Sequence, residues 1–382
     1  MTFTKLINVQ FVENLTAYPD PKIYSFYNNK YDFPVKEKIM SLSSVTLNKD
    51  NTTLKKHKNT EKTPLFYFIY NFDNYYHFVY DTLPYLITYS ELKKEYPNLK
   101  LLVNYPKGTT KFNTFVLEFF ELLNIFSSDL ILVNDSTIYE TLFVSKSYTN
   151  NELQIPDNKI YDFFSNMIQD VKIDKSNSKK IYVSRRSHIH GNYNNIGTDY
   201  TQRRKLINED SLVDFLVKNG YTEVFTELLS TTEKIKLFKN CSHVIGPIGG
   251  GLCNVLFSQK ETKLLCIVSP EFLTVNGRFV HSFKNVTTKY FFDCSHSNTE
   301  KLKKNMRVRV LTKDVVGEII EIFDDEVLVM FSYDNLAGWN SKVNYETLLV
   351  NKSSICPLDN GLNSEWKINL ETFKEVFFNY EC

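Results

Sequence analysis

Between Lys179 and Phe257 the apolar pattern switches back and forth between a period of two and a period of 3.6. Such a stretch buries all its apolar faces only as helices laid over a parallel sheet. Lys180-Ile-Tyr-Val-Ser184 is a β-branched and aromatic run ending in a polar residue, as a buried strand does where it delivers a loop to a ligand. Asn208-Glu209-Asp210-Ser211 opens a helix with Leu212, Phe215 and Leu216 on one face, and Asn219-Gly220 closes it. Glu223–Thr226 reads as the next strand. Ser230-Thr-Thr-Glu233 is a capping box leading a helix with Ile235 and Phe238 inward, and Ser242–Gly246 is a third strand. The order is βαβαβ.

Two features of this stretch point to a bound anion. The chain has seven arginines among 45 basic residues, and Arg185, Arg186, Arg203 and Arg204 all fall within Lys179–Lys205, where the one acid is Asp199. A guanidinium grips two oxygens of one phosphate, so a Lys-rich chain that uses Arg at one locus points to a fixed anion; a solvated basic loop is the other reading. The run Gly246-Pro-Ile-Gly249-Gly250-Gly251-Leu252-Cys-Asn254 is a strand, a glycine turn and a helix start, where backbone N–H groups and the helix dipole favour an anion. A tight turn that needs positive φ would look the same.

The first half is also α/β. Leu65–Tyr70 is a strand that delivers Asn71–Asn74 to a helix beginning near Tyr75, and His77 and Asp81 stand four residues apart on that helix. The spacing puts imidazole and carboxylate on one face, where the carboxylate orients the ring. Alternatively His77 caps or packs the helix and Asp81 bonds backbone near Pro84. Strands follow at Lys100–Asn104 and Leu130–Val133 around a helix from Asn113 to Leu123. Then come a strand region over Asn134–Ser147 and an amphipathic helix over Asp157–Val171. Residues 1–60, broken by Pro19, Pro21 and Pro34, read as an irregular lead-in, and Lys172–Lys180 as a linker.

Together these residues resemble glycosyltransferase family 61, which includes plant xylosyl- and arabinosyltransferases and animal O-linked N-acetylglucosaminyltransferases. Ser184-Arg185 after a strand, the run Arg203-Arg204-Lys-Leu-Ile-Asn208-Glu209, the glycine turn with Asn254 and Leu256-Phe257, and Asn74-Tyr-Tyr-His77 leading to Asp81-Thr-Leu-Pro84 carry the resemblance over roughly residues 65–295. The family usually has His before its glycine turn, and here that position is Ile248. The resemblance implies a GT-B-like fold, two Rossmann-like domains facing a cleft. It also implies inverting transfer of a sugar, N-acetylglucosamine or xylose, from a UDP-sugar to a hydroxyl of a glycan or protein. Carried over residue by residue, the donor would meet Ser184, Arg185, Arg203, Arg204, Asn208, Glu209, Gly249, Gly250, Gly251 and Asn254, with Asn208 and Glu209 in loop architecture or on ribose. His77 and Asp81 would serve catalysis near the acceptor. No metal and no cofactor is expected, because basic side chains and a helix N-terminus offset the charge of the departing diphosphate.

Met306–Leu311, Gly317–Phe323 and Glu326–Ser332 are short alternating runs, read as an SH3-like β-barrel module inserted at 300–352. The expected domains are thus 1–172 for the acceptor, 173–299 for the nucleotide sugar, the module, and 353–382 returning to the catalytic fold. A net charge of +1 gives no global attraction to nucleic acid or anionic lipid. No basic start with an apolar core and no long apolar run is visible, so the expected partners are a nucleotide sugar and its acceptor, without nucleic acid or a membrane span, in the cytoplasm. Six cysteines without paired spacing read as buried thiols. Two alternatives stay open: a non-catalytic phosphate-binding α/β protein, and a nucleic-acid-binding protein using the basic loop and the β-module. A dinucleotide dehydrogenase does not fit, since Gly246–Gly251 lacks the G-x-G-x-x-G arrangement.

Overall fold

The computed structural model describes residues 3–11, 23–25, 59–69, 72, 74–106, 109–134, 136–149, 156–173, 178–186, 205–268, 282–292, 302–310, 312–313, 315–331, 346–357 and 366–381. Arg203 and Arg204 lie outside these residues. The chain forms two compact units, the first ending at Asp170 and the second beginning at Val171.

In the first unit, β1 (Phe3–Phe11), β2 (Ile23–Ser25), β3 (Asn59–Glu61), β4 (Leu65–Tyr67), β5 (Lys100–Val103), β6 (Leu130–Leu132) and β7 (Thr137–Ser145) make one sheet ordered β2-β1-β7-β4-β5-β6, with β3 beside β7. The strands from β3 to β7 pair in parallel, whereas β1 lies antiparallel along β7 from Phe3 opposite Ser145 to Gln10 opposite Ile138. The expected irregular lead-in therefore holds a nine-residue strand. Its sequence sets two apolar residues side by side at Leu6 and Ile7, and the ladder to β7 makes it a strand with Leu6 buried and Ile7 43% exposed.

Helices α1 (Tyr75–His77) and α2 (Leu86–Glu95) are joined by a π turn over Phe78–Thr82 and a 3₁₀ turn over Leu83–Tyr85. Pro84 has no N–H to give the carbonyl four residues back and its ring crowds that carbonyl. The helix widens before it, so that the Leu83 N–H reaches the Phe78 carbonyl instead. The Phe78 ring packs against Phe115, Phe119 and Phe120 of α3 (Thr114–Leu122), with centroids 5.5, 5.8 and 6.5 Å away. Helix α4 (Lys159–Met167) buries Ile160 and Phe164.

In the second unit, β8 (Lys180–Val183), α5 (Glu209–Lys218), β9 (Thr222–Val224), α6 (Thr231–Asn240), β10 (His243–Pro247), β11 (Lys263–Val268) and β12 (Thr287–Phe292) build a five-stranded, wholly parallel sheet ordered β12-β11-β10-β8-β9. The strand expected over Glu223–Thr226 starts one residue earlier and stops at Val224, because Thr226–Leu228 turns as 3₁₀ helix. Ser230 and Glu233 form the capping box of α6, and Gly220, with φ of 84°, ends α5 in the left-handed conformation.

The small β-module is a second sheet, antiparallel and ordered β16-β15-β14-β13-β17. Its strands are β13 (Arg307–Val310), β14 (Val315–Ile322), β15 (Glu326–Phe331), β16 (Glu346–Asn351) and β17 (Ile355–Pro357). The last strand carries the sheet past residue 352. Gly317 admits no side chain, since a Cβ there would collide with the Met330 carbonyl and the Val329 side chain of β15. Beyond the module, α7 (Leu370–Glu381) lays Phe373, Phe377 and Tyr380 into the same core as Tyr182, Ile245 and Leu265 of the parallel sheet and Leu212 and Leu216 of α5. Among the described residues Cys241, Cys253, Cys266 and Cys356 are buried free thiols.

The end of α7 is fixed by charge. The Glu381 carboxylate bonds the Lys180 ammonium and the Tyr221 hydroxyl. Burial opposes its ionisation, but Lys180 and Tyr221 outweigh burial and hold it below the ordinary 4.5. A carboxyl whose folded value is depressed contributes stability that is present above the unfolded value and lost as pH falls through the folded one. Glu381→Gln is therefore expected to unfold at lower urea than wild type at pH 7, with the gap closing as pH drops below 4.5; a gap independent of pH would contradict this.

Candidate functional site

In open α/β sheets a ligand crevice lies at the carboxyl ends of the strands, where the strand order reverses. In the second unit the chain runs from β8 outward to β9 and then back past β8 to β10, so the reversal lies between β8 and β10. Ser184-Arg185 follows β8 and Ile248-Gly249 follows β10. In the first unit β4, β5 and β6 are laid down in one direction and β7 returns to the other flank of β4, so the reversal lies between β4 and β7. The helix that carries His77 and Asp81 follows β4, and Thr149 follows β7. Each unit thus places its candidate residues at its own switch point.

The loop after β8 is gathered around one buried carboxylate. Glu209, 3% exposed, accepts at Oε1 from the Tyr182 hydroxyl at 2.8 Å, the Ser184 hydroxyl at 3.0 Å and the Arg185 backbone N–H at 2.8 Å. Burial raises its carboxyl above the ordinary value, and these donors with the Arg185 charge act against that rise. The Ser184 Oγ also accepts from the Arg186 N–H at 3.2 Å. Asn208 does not cap α5 with its side chain; it donates from Nδ2 to the Ile368 carbonyl at 2.8 Å and accepts from the Ile368 N–H at 3.1 Å. Asn254, fully buried, donates to the Gly251 carbonyl at 2.8 Å. Ser184, Asn208, Glu209 and Asn254 are thereby placed in the architecture of the loop and turn.

Arg185 and the glycines are what this architecture presents. Arg185 is half-buried, and burial draws its guanidinium below its ordinary value while Glu209 and Glu227 act the other way. A Cβ on Gly249 would run into Arg185 Nη1, so the guanidinium lies directly on the turn. Gly249 is extended at φ of 170°, and among the described residues Gly220 is the glycine in the left-handed region. The turn therefore requires glycine for close approach. A Cβ on Gly246 would lie 2.9 Å from the Val183 carbonyl, and one on Gly251 2.8 Å from Thr226 Oγ1. Gly250–Phe257 continues as 3₁₀ helix, with Gly250 and Gly251 half-buried at its start. Ile248, where the resemblance implies His, is 2% exposed and belongs to the core.

Arg186 has a different fate. Its Nε and Nη2 hold the two oxygens of Glu223, each at 2.6 Å, and Nη1 holds Asp210 at 2.6 Å. These acids hold its charge in place and remove one cation from the basic loop that a nucleic-acid reading requires.

In the first unit His77 Nδ1 and Asp81 Oδ2 are 2.7 Å apart, with the two side chains 33% and 18% exposed. Asp81 Oδ1 accepts from the Thr149 hydroxyl at 2.9 Å. A carboxylate at Nδ1 favours the tautomer with the proton there and leaves the Nε2 lone pair as the base. The Asn74 side chain caps α1 by accepting from the His77 N–H at 3.3 Å. Thr149 carries no sequence signal, since it stands 68 residues from Asp81. Among the described residues no three His, Cys, Asp or Glu side chains converge as metal ligands, and no helix is long and apolar enough to cross a membrane.

The family described as Glycosyltransferase 61 matches residues 75–265, half of the 382-residue chain, and that span contains His77, Asp81 and Thr149 as well as the loops after β8 and β10. No curated protein matches the chain.

Glu209→Ala strips the acceptor from three groups of the loop at once and is expected to lower stability by about 3–5 kcal/mol, the range for breaking a buried charged network. Urea unfolding checks this, and a loss below about 1 kcal/mol would show that the loop holds without the carboxylate.

Proposed function

The chain belongs to glycosyltransferase family 61 and is a transferase; from that premise we propose that it transfers a sugar with inversion, N-acetylglucosamine or xylose, from its UDP-sugar to a hydroxyl of a glycan or protein. The observation that carries this reading is the Arg185 guanidinium seated on the glycine turn at the β8–β10 switch point. In this reading the two units are the acceptor and donor halves of a GT-B-like enzyme, and the second unit takes the nucleotide.

The chemistry asks for two things. A base must take the acceptor hydroxyl's proton, and the charge growing on the departing diphosphate must be stabilised. Nε2 of His77, with Nδ1–H given to Asp81, takes the proton while the acceptor oxygen bonds to the anomeric carbon. The bond from that carbon to the diphosphate oxygen breaks in the same step, and UDP leaves with the electron pair. One displacement inverts the centre. Arg185 and the backbone N–H groups of Gly250 and Gly251 receive the diphosphate charge, as the first N–H groups of a helix lack intrahelical acceptors. Arg203 and Arg204 are proposed to add to the same site.

UDP at 100 times its dissociation constant is expected to stabilise the protein by about 2.7 kcal/mol, read as a rise in melting temperature. Arg185→Ala is expected to shrink that rise. Gly249→Ala should do so as well, because its Cβ displaces a flexible guanidinium and leaves the backbone in its extended conformation. Equal rises in wild type and both variants would take the turn out of the donor site. Since guanidinium and amide groups already offset the diphosphate charge, sugar transfer is expected to survive EDTA, and loss restored by manganese would overturn that expectation.

For the base, His77→Ala is expected to lower turnover by roughly 10²–10⁴-fold with UDP affinity retained. Near-normal turnover would place the base elsewhere.

A further inference from the structure

The first switch point contains one polar contact that the reaction as described does not use. Thr149 is fully buried, follows β7 by four residues, and gives its hydroxyl proton to Asp81 Oδ1 at 2.9 Å, while Asp81 Oδ2 faces His77 Nδ1 at 2.7 Å. We propose that Thr149 is a positioning residue for the transfer reaction, acting through Asp81 to hold the His77 ring in the tautomer and orientation that leave Nε2 as the base.

A carboxylate turns about its Cβ–Cγ bond, and one hydrogen bond to a single oxygen does not stop it. Two bonds on opposite oxygens do. The His77 partner is itself 33% exposed and therefore cannot serve as the fixed end. The buried Thr149 can, because its own segment is anchored. Its backbone N–H bonds the Ser147 hydroxyl at 3.3 Å, and next to it the Tyr148 hydroxyl meets Thr88 Oγ1 of α2 at 2.8 Å. Thr88 Oγ1 in turn meets Ser145 Oγ at 2.8 Å, and all three side chains are buried. The end of β7 is thus tied to the helix at two places, Tyr148 to α2 and Thr149 to the π turn.

The π turn makes this tie matter. In the widened helix Asp81 sits within the stretch where Leu83 bonds Phe78, so the carboxylate is set on a backbone distorted by Pro84. Holding it from a neighbouring strand end removes its dependence on that distortion. Partners that orient a metal-bound histidine are worth about 10–100-fold in affinity or activity, and the lower end of that range is the effect expected for a histidine oriented without a metal.

The inference rests on the reading of His77 as base, and the test separates the two. Full-length protein labelled with ¹⁵N-histidine is examined by NMR with the His77 ring neutral, its signals assigned by their loss in His77→Ala. The wild type is expected to show a single tautomer protonated at Nδ1, Thr149→Val an average of both tautomers, and Thr149→Ser, which keeps the hydroxyl, the wild-type state. Turnover of UDP-sugar is expected to fall about tenfold in Thr149→Val with KM for the donor unchanged, and to show no further fall when Thr149→Val is added to Asp81→Asn. Thr149→Ala replaces Thr149→Val if the branched side chain does not fold. A fixed Nδ1–H tautomer without the Thr149 hydroxyl, an averaged ring in the wild type, or losses that add in the double variant would each overturn the proposal. Undiminished turnover in His77→Ala would instead remove the base, leaving the tautomer measurement to decide what Thr149 holds.

Discussion

A single buried carboxylate sets the geometry on which the switch-point loop of the second unit depends. Glu209 gathers the hydroxyls of Tyr182 and Ser184 and the N–H of Arg185. Without it the chain leaving β8 has three donors and no shared acceptor in a region sealed from water, where each orphan costs about 1–3 kcal/mol. With it, the strand end, the first turn of α5 and the arginine are one object. The glycines complete that object from the β10 side, because the strands approach so closely that a Cβ on Gly246 or Gly251 meets β8 or Thr226. The same contacts that stabilise the loop therefore seat the Arg185 guanidinium on Gly249.

The two units solve the same problem twice with different chemistry. Each is an open sheet whose strand order reverses, and each puts its polar residues in the loops at the reversal. The second gathers positive charge and backbone donors, which suit a diphosphate. The first gathers a histidine, a carboxylate and a threonine hydroxyl, which suit proton abstraction. The proposed function assigns the two substrates of a family 61 glycosyltransferase to these two loops, and the position of both loops follows from where chain reversals fall in a parallel sheet.

Much of this was legible in the sequence because it is local. The βαβαβ order, the Ser230–Glu233 capping box, the Gly220 helix stop and the His77–Asp81 pair each occupy a few consecutive residues, and their spacing carries their structure. What stayed hidden depends on pairing across the chain. Strand β1 exists through its ladder to β7, more than a hundred residues away. Asn208 looked like a helix cap but bonds Ile368, 160 residues on, because the chain returns to this core after the β-module. Arg186 belongs to the same arginine cluster in the sequence, and the acids that hold it come from another strand and a helix. The glycine turn was legible as a constraint, while its cause, close packing in place of positive φ, required the neighbouring strand.

The central claim is that the crevice between β8 and β10 holds the diphosphate of a nucleotide donor. A crystal structure of the protein with UDP tests it most directly. The account predicts diphosphate oxygens within about 3 Å of the Arg185 guanidinium and of the Gly250 and Gly251 N–H groups, as charge-assisted hydrogen bonds require. UDP bound elsewhere in the protein, with Arg185 still lying on Gly249 and touching no phosphate oxygen, would contradict it.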